Sequence, residues 1–347
     1  MGSPTSKING GIIGVSNAAT FPSAPGVWSL PCQMAARSQD KWPTYLAPMN
    51  NIDYLVIAGG GGSGSGGPDG SIGGGGGGGG GFRTSFPGGT KINILGPQTI
   101  TVSGGGAGAA AGSRGTKGTN GTTSIFATIT SAGGGFGGGG GLSPQNNGGP
   151  GGSGGGGCAR IPACGSSTGG TGNVPPVSPS QGNAGTGSVG PDAAGAGGGA
   201  GGAGGSASFN CGGDGGAGLA NSITGASVTY GGGGGGGGHT TGGTGGSGGG
   251  GAAGTAPVNP SPCGGPGSHG TSGTVNTGGG AGGAVANPAY GTGTAGAGGS
   301  GIVILRYAFA CAPGNVAVSP GANTITTAPC SPSHRLATFT VSGTFDV

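Results

Sequence analysis

The stretch NNIDYLVIAGGGGSGSGG, residues 50–67, decides the fold of this chain. It begins as a strand, because Asp53–Ala58 is rich in β-branched and large apolar residues. It then runs directly into glycine. Either the folded part ends at Gly59 and a spacer begins, or glycine is itself the material of the fold.

Glycine dominates the composition, with 107 of 347 residues, whereas a typical protein has about 7%. Charged residues make up only 5%, against about 25% in a typical protein. The net charge of +4 comes from Lys and Arg residues that form no cluster. Binding to a nucleic-acid backbone requires such a cluster, so we expect no nucleic-acid partner.

Two familiar glycine-rich classes fit the sequence poorly. Collagen has Gly at every third position and Pro or hydroxyproline near about 15–20%, whereas Pro here is 25 of 347 residues and glycine comes in unbroken blocks. Disorder is the second alternative, because glycine loses the most backbone entropy on folding. Segments of strand composition argue against it, since they punctuate the blocks from one end to the other: Lys91–Ser103, Thr122–Thr130, Ser222–Tyr230 and Gly301–Tyr307.

The fold class we predict is a glycine-rich bundle or sandwich of polyglycine II helices, flanked by short β-strands and with almost no α-helix. Such a helix has three residues per turn and rises about 3.1 Å per residue. Glycine keeps its N–H, so each peptide can form lateral hydrogen bonds worth roughly 0.5–1.5 kcal/mol net. The predicted runs are 59–67, 73–81, 104–112, 133–141, 148–157, 194–205, 212–218, 231–238, 242–251, 278–283 and 294–301.

We divide the chain into three parts. Residues 1–50 are an N-terminal attachment segment with a short helix predicted over Trp28–Arg37. Residues 51–307 are the glycine-rich domain, and residues 308–347 form either a small β unit or a docking arm. Asp53–Ala58 and Ile302–Tyr307 match in length and apolar content, so we expect them to pair and close the domain.

Membrane insertion and secretion are not expected. No stretch of about 20 apolar residues is present, and the apolar IIGV segment near the start is too short for a signal-peptide core.

The seven cysteines leave at least one thiol unpaired. Two pairs are near enough in sequence to close local loops, Cys158 with Cys164 and Cys311 with Cys330. The alternative, that all are inert small apolar residues, has equal weight.

Catalysis, cofactors and metals are not expected from the polar residues. The aspartates are scattered, and His239, His269 and His334 are isolated from one another, without metal-ligand spacing. G-x-G-x-x-G recurs by chance in glycine blocks and indicates no dinucleotide site. We therefore expect a protein that is not an enzyme and that has no cofactor.

Four junctions between strand and glycine carry a family resemblance: the opening stretch, SIFATITSAGGGFGGGGG (124–141), NSITGASVTYGGGGGGGG (221–238) and GGSGIVILRY (298–307). Their order and spacing, over about residues 52–307, resemble the glycine-rich domain of tailed-phage tail fibre and adhesin proteins. The resemblance implies a polyglycine II sandwich, as in the tip adhesins of T-even-like long tail fibres, where loops on a rigid core recognise the host. The two end segments differ from those of the tip adhesins.

The resemblance implies a bacteriophage virion protein, a tail fibre or adhesin for host attachment. Made in the host cytoplasm without a signal peptide, it would be a receptor-binding surface appendage of the virion. Its partners would be other virion proteins, through 1–50 or 308–347, and a host surface glycan or outer-membrane protein. Assembly as a homo-oligomer and as a single copy remain alternatives. The rival interpretation is a purely structural scaffold of a fibre, spike or head decoration.

Receptor binding is expected in the two long Pro-containing loops, 158–193 and 252–277, because a rigid core presents function on its loops. If the glycine runs alternate up and down, both loops lie at one end of the bundle. Arg160 is the first choice for pairing with an acidic glycan, as the only Lys or Arg between Lys117 and Arg306. The candidate receptor-binding residues are Arg160, Ile161, Val174, Pro175, Pro176, Val177, Val258 and His269.

Overall fold

The computed structural model describes residues 48–67, 73–110, 115–140, 146–159, 166–190, 192–255, 268–287, 291–308, 316–329 and 331–347. These residues contain short strands and no helix. The helix predicted over Trp28–Arg37 lies outside the described residues, as does nearly all of segment 1–50. The strands are β1 (Met49–Ile57), β2 (Phe82–Thr84), β3 (Ile92–Ile94), β4 (Gln98–Thr101), β5 (Ser124–Phe126), β6 (Ile129–Ser131), β7 (Leu219–Asn221), β8 (Val228–Tyr230), β9 (Ala286–Asn287), β10 (Gly291–Thr292), β11 (Ile302–Ala308), β12 (Ala317–Ser319), β13 (Thr324–Ala328), β14 (Ser331–Phe339) and β15 (Gly343–Asp346).

The strands form open antiparallel sheets. The first sheet has the order β13-β14-β11-β1-β2, with β3 also paired to β1. The second has the order β12-β15-β4-β5-β6, and β7–β8 and β9–β10 are separate hairpins. The C-terminal strands therefore complete both large sheets, with β14 on β11 and β15 on β4.

The predicted closure of the domain is confirmed. β1 and β11 pair antiparallel, and Val56 lies opposite Val303. Both strands are apolar on both faces because the sheet is covered on both sides. The two ends of the glycine-rich region are thus joined by the central strands of the first sheet.

Two hydrophobic clusters cover the two faces of this sheet. The cluster between the two large sheets contains Val56, Leu305, Tyr307 and Phe345. The rings of Tyr307 and Phe345 meet edge to face, with centroids 5.6 Å apart. The second cluster, on the opposite face, joins alternate residues of β1 and β11 to Ile223 and Tyr230 of the β7–β8 hairpin.

The glycine runs follow a hydrogen-bond pattern with a period of three residues. In run 59–67 the N–H groups of residues 59, 62 and 65 donate to carbonyls of 122, 119 and 116. Those of residues 60 and 63 donate to 299 and 296, and those of 61 and 64 to 78 and 75. Each run therefore bonds to several neighbours around its axis, instead of to two neighbours in a plane as a strand does.

Run 73–81 is enclosed on all sides by other runs. Its N–H groups donate in turn to three neighbours, through residues such as Ala281, Gly135 and Gly198. Its carbonyls accept from three more, including Gly61 and Gly234. A Cβ atom on this run would meet backbone: one on Gly77 would lie 2.1 Å from the Gly61 carbonyl oxygen. Glycine is required here because neighbouring backbones occupy the space of every side chain.

The structure corrects the predicted lengths of three runs. Run 148–157 turns back on itself, since Gly155 donates to the Gly149 carbonyl. Runs 194–205 and 242–251 also turn back, the latter at Gly248 and Gly249, whose φ angles of +92° and +93° favour glycine. These turns consist largely of glycine, so apart from Pro150 in the first run little in the composition distinguishes them from the runs they interrupt.

The expectation that residues 158–193 and 252–277 form two long loops is wrong for part of each range. Residues 166–172 and 182–188, within predicted loop 158–193, are laterally bonded runs: Gly170 donates to Gly155, and Gly185 to Gly170. Residues 268–274, within predicted loop 252–277, are bonded in the same way. Thr, Ser and Asn occur among the glycines of these runs without disturbing the lateral bonds, and two of them, Ser167 and Ser188, are buried and hydrogen-bonded to each other.

Candidate functional site at the connector end

The glycine-rich region has two distinct ends. At the sheet end, Ala58 donates to the Gly81 carbonyl, and both residues adjoin strands of the first sheet. We call the opposite end, at the level of Gly73, the connector end. Short segments there link one run to the next, and backbone polar groups are joined by isolated bridges such as Gly73 with Val285.

A residue near the start of each predicted loop lies at the connector end. Ala159, in loop 158–193, donates to the Gly73 carbonyl over 2.9 Å. Thr255 is bridged to Gly238, one residue beyond Gly237, which donates to Gly74. The starts of the two loops thus lie at one end, as the parity argument predicts, but Thr277, at the far end of loop 252–277, accepts from the Gly231 N–H at the sheet end.

His269 lies at the connector end and is exposed. Its Nδ1 accepts a hydrogen bond from the Thr294 backbone N–H at 2.8 Å, and the preceding residue, Ser268, accepts from the Val285 N–H. Because Nδ1 is an acceptor, a neutral ring carries its proton on Nε2. The ring is therefore fixed at one nitrogen and offers the other as a donor.

A residue that the sequence analysis missed is the most exposed large hydrophobic residue described. Phe209 is 81% exposed, at the turn between Ser208 and Cys211. Its neighbour Asn210 accepts from the Thr240 N–H, and the adjacent His239 donates its N–H to Asp192. The signal in the sequence is a lone aromatic residue in a short interruption of glycine, SASFNC, residues 206–211.

The residues Val174–Val177 lie at the sheet end, away from His269. Val174 donates to Gly151, and the Asn173 side chain bonds both backbone groups of Val177. Gln181 secures this turn to the sheet end, because its amide donates to the Pro175 carbonyl at 2.8 Å and accepts from the Ala132 N–H at 2.9 Å. Val174, Pro175 and Pro176 are exposed, but they do not form one surface with the connector end.

The other candidate residues fall largely outside the described part of the chain. Arg160, Ile161 and Val258 are in that group, as are Cys164, Cys311 and Cys330. Cys158 is described: it is buried, and its thiol donates to the Gly139 carbonyl at 3.0 Å.

The described side chains at this end suit non-covalent contact. An exposed aromatic ring supplies a large apolar face, and an imidazole supplies a hydrogen-bond donor. Among the described residues, no group of three or more His, Cys, Asp or Glu is arranged to hold a metal ion. The described part of the chain also contains no helix long and apolar enough to cross a membrane.

Comparison with known families gives one match. The sequence profile described as "Glycine-rich domain" matches residues 38–308, which includes every glycine run and the closing strands β1 and β11. No curated protein sequence matches the chain.

Proposed function

The chain belongs to the glycine-rich domain family, and from that premise we propose that its runs are polyglycine II helices packed in a bundle. The period of three in the hydrogen bonds supports this, because polyglycine II has three residues per turn. So does the environment of run 73–81, whose peptides bond to neighbours on six sides. A planar sheet offers each strand only two such neighbours.

We propose further that this bundle is a non-catalytic scaffold that presents its connector end to a binding partner. The observation that carries the proposal is the contrast between the two ends. Both large sheets and the two hydrophobic clusters that cover the first sheet lie at one end. The other end carries the exposed ring of Phe209 and the imidazole of His269 on backbone secured by lateral bonds.

In biological terms, we propose a virion structural protein, a tail fibre or adhesin that binds a host surface glycan or outer-membrane protein. The support is the order of the strand–glycine junctions together with a stiff core that holds short connectors in place. A stiff scaffold favours binding because less conformational entropy is lost when the partner is bound. Other virion proteins would contact this chain through segments 1–50 or 308–347.

The test is adsorption of the particle to its host. Phe209→Ala and His269→Ala should weaken adsorption, each by about tenfold or more if the residue is an energetic centre of the interface. Leu95→Ala is the matched control, because Leu95 is also strongly exposed, at 62%, but follows β3 in the sheets. A further variant replaces residues 160–165 and 256–267, which lie outside the described residues, with Gly-Ser sequence.

Unchanged adsorption in all of these variants, with their unfolding temperatures preserved, would reject receptor binding at this end. The rival function, a scaffold that builds a fibre, spike or head decoration, would then be favoured. That rival predicts that host attachment does not change in the same variants.

A further inference from the structure

A cavity of about 170 Å³ lies at the sheet end, on the face of the first sheet that carries Leu55 and Ile304. It is distant in the fold from the connector end, so the inference is independent of the function proposed above. The turn after β2, the β7–β8 hairpin, β11, the end of β13 and the start of β14 meet around it. The lining residues that matter here are Phe86, Ser222, Ile223, Arg306, Ala328 and Ser331.

Arg306 presents its guanidinium in a fixed orientation. The central carbon of the guanidinium lies 4.9 Å from the ring centroid of Phe86. An arginine stacked on an aromatic face keeps its N–H groups directed outward in the guanidinium plane. That geometry suits a planar carboxylate, which accepts two parallel hydrogen bonds from one guanidinium.

The charge of Arg306 is not balanced by a carboxylate within the described residues. Asp53 is its cross-strand partner, but the Asp53 carboxylate lies 2.9 Å from Lys91 Nζ and accepts from Ser85 Oγ at 3.0 Å. Over the described part of the chain, the Lys91–Asp53 pair is the ion pair present. Two cations, Arg306 and Lys91, therefore lie near one carboxylate, that of Asp53. The charged groups near the cavity thus carry a net positive charge.

The pKa of His334, which lies on the neighbouring strand β14, reflects the positive charge around the cavity. Burial lowers the pKa of His334, the positive charges of Arg306 and Lys91 lower that pKa further, and Asp53 acts in the opposite direction. The His334 Nδ1 lies 2.8 Å from the hydroxyl of Ser331, which lines the cavity. The Ser331 hydroxyl thus borders the cavity with the imidazole of His334 beside it, and the positive charge of the cavity lining comes from Arg306.

Apart from Ser222, the remaining walls are apolar. Ile223 and Ala328 are almost fully buried, and Phe86 supplies a ring. A dry apolar cavity of roughly 150 Å³ is large enough for benzene, so the volume here fits a body of about one ring. Apolar walls also strengthen a charge-assisted hydrogen bond, because they reduce the local dielectric constant.

We propose that this cavity binds a small organic carboxylate. Its carboxylate pairs with the outward edge of the Arg306 guanidinium, and its apolar body, about the size of one ring, packs against Phe86, Ile223 and Ala328.

The experiment is calorimetric titration of the full chain with four probes. Benzoate carries both the carboxylate and the ring, benzamide has the same shape without the charge, and acetate and inorganic phosphate have the charge without the ring. We expect benzoate to bind about tenfold or more tightly than each of the others, which is the size of one good charge-assisted contact.

Variants locate the site. Arg306→Gln should abolish the preference for benzoate over benzamide, and Arg306→Lys should weaken benzoate binding severalfold, because lysine lacks the planar fork. Ala328→Leu should block benzoate by filling the cavity while the charge remains. Arg83→Gln is the matched control: Arg83 is on β2 opposite Val56, hence on the other face of the same sheet, and binding should be unchanged.

Equal binding of phosphate and benzoate, equal loss in the Arg83 variant, or no binding at millimolar concentrations would each overturn the proposal. If Arg306→Gln does not fold, the decision rests on Arg306→Lys and Ala328→Leu, since both retain a cation. Unaltered benzoate affinity in these two folded variants would then also overturn it.

Discussion

Val56 and Val303 lie directly opposite each other in the first sheet, although the whole glycine-rich region separates them in sequence. Both side chains are fully buried. Their pairing fixes the two ends of the region at one place, so the runs between them form a closed set. The stability of the glycine bundle is thereby coupled to the packing of an ordinary apolar sheet.

This register predicts a specific cross-link. Cysteines at Val56 and Val303 should form a disulfide under mild oxidation, because cross-strand partners have Cβ atoms about 4.5–5.5 Å apart. The pair Val56 with Ile304 is the control: Ile304 belongs to the cluster on the opposite face. Equal cross-linking of both pairs, measured by gel mobility without and with reductant, would contradict the register.

The closed space around run 73–81 predicts a sharp contrast between glycines. Gly77→Ala places its Cβ against the Gly61 carbonyl, and we expect the free energy of unfolding to fall by about 1–3 kcal/mol, as in other overpacked sites. A Cβ on Gly104 meets nothing within 4 Å. Gly104→Ala should therefore be neutral or raise that free energy by about 0.4–1 kcal/mol. Denaturant titration measures both, and equal effects would show that the bundle is not close-packed.

A third prediction concerns Tyr307 at alkaline pH. Burial raises the pKa of Tyr307 to about 12, with the positive charge of Arg335 acting in the opposite direction. Because the unfolded phenol ionises near pH 10, the folded state holds its proton longer. The contribution of the protonated Tyr307 phenol to the free energy of unfolding is complete below about pH 10 and is lost as the pH rises towards about 12.

The free energy of unfolding should therefore fall across that interval, and less so in Tyr307→Phe. Titration of phenolate absorbance should show one late-ionising tyrosine fewer in the variant. If wild type and Tyr307→Phe lose stability in parallel over this pH range, the buried phenol is not the cause.

The buried carboxylate of Asp53 gives a fourth prediction. Asp53 bonds both Lys91 and the Ser85 hydroxyl, and Ser85 in turn accepts from the Tyr54 N–H at 3.0 Å. Asp53→Asn should lower the free energy of unfolding by about 1–3 kcal/mol, because two charge-assisted contacts are weakened. A double-mutant cycle with Lys91→Met isolates the ion pair, and we expect a coupling of about 1 kcal/mol. A coupling near zero would assign the cost to Ser85 alone.

The sequence predicted the parts of this fold that carry side chains. The pairing of β1 with β11 followed from two matched apolar strands, and the positions of most glycine runs were evident. The turns inside runs 148–157, 194–205 and 242–251 were not predictable, because a change of direction in a glycine-rich chain changes backbone angles and little of the composition. Runs 166–172 and 182–188 were missed because Thr, Ser and Asn made them resemble loops.

The candidate site was predicted less completely than the fold. His269 lies at the connector end as expected, since its loop follows a run that reaches that end. Val174–Val177 lie at the other end because the two unrecognised runs beside them cross the bundle. Phe209 was overlooked, since one aromatic residue in a short interruption has no periodicity to mark it.

The period of three has a consequence for alignment. If an all-glycine run such as Gly73–Gly81 slides along its axis by three residues, one period of its hydrogen bonds, every peptide meets an equivalent partner, so hydrogen bonding alone leaves several offsets nearly equal in energy. The side chains at the sheet end remove this ambiguity. Phe82 directly follows the run and is buried in the second cluster, and its backbone N–H donates to the Gln181 carbonyl. The side chains next to a run thus fix its position along its axis. Substitutions at Phe82 should therefore yield folded species in which the run is shifted, as well as unfolded ones.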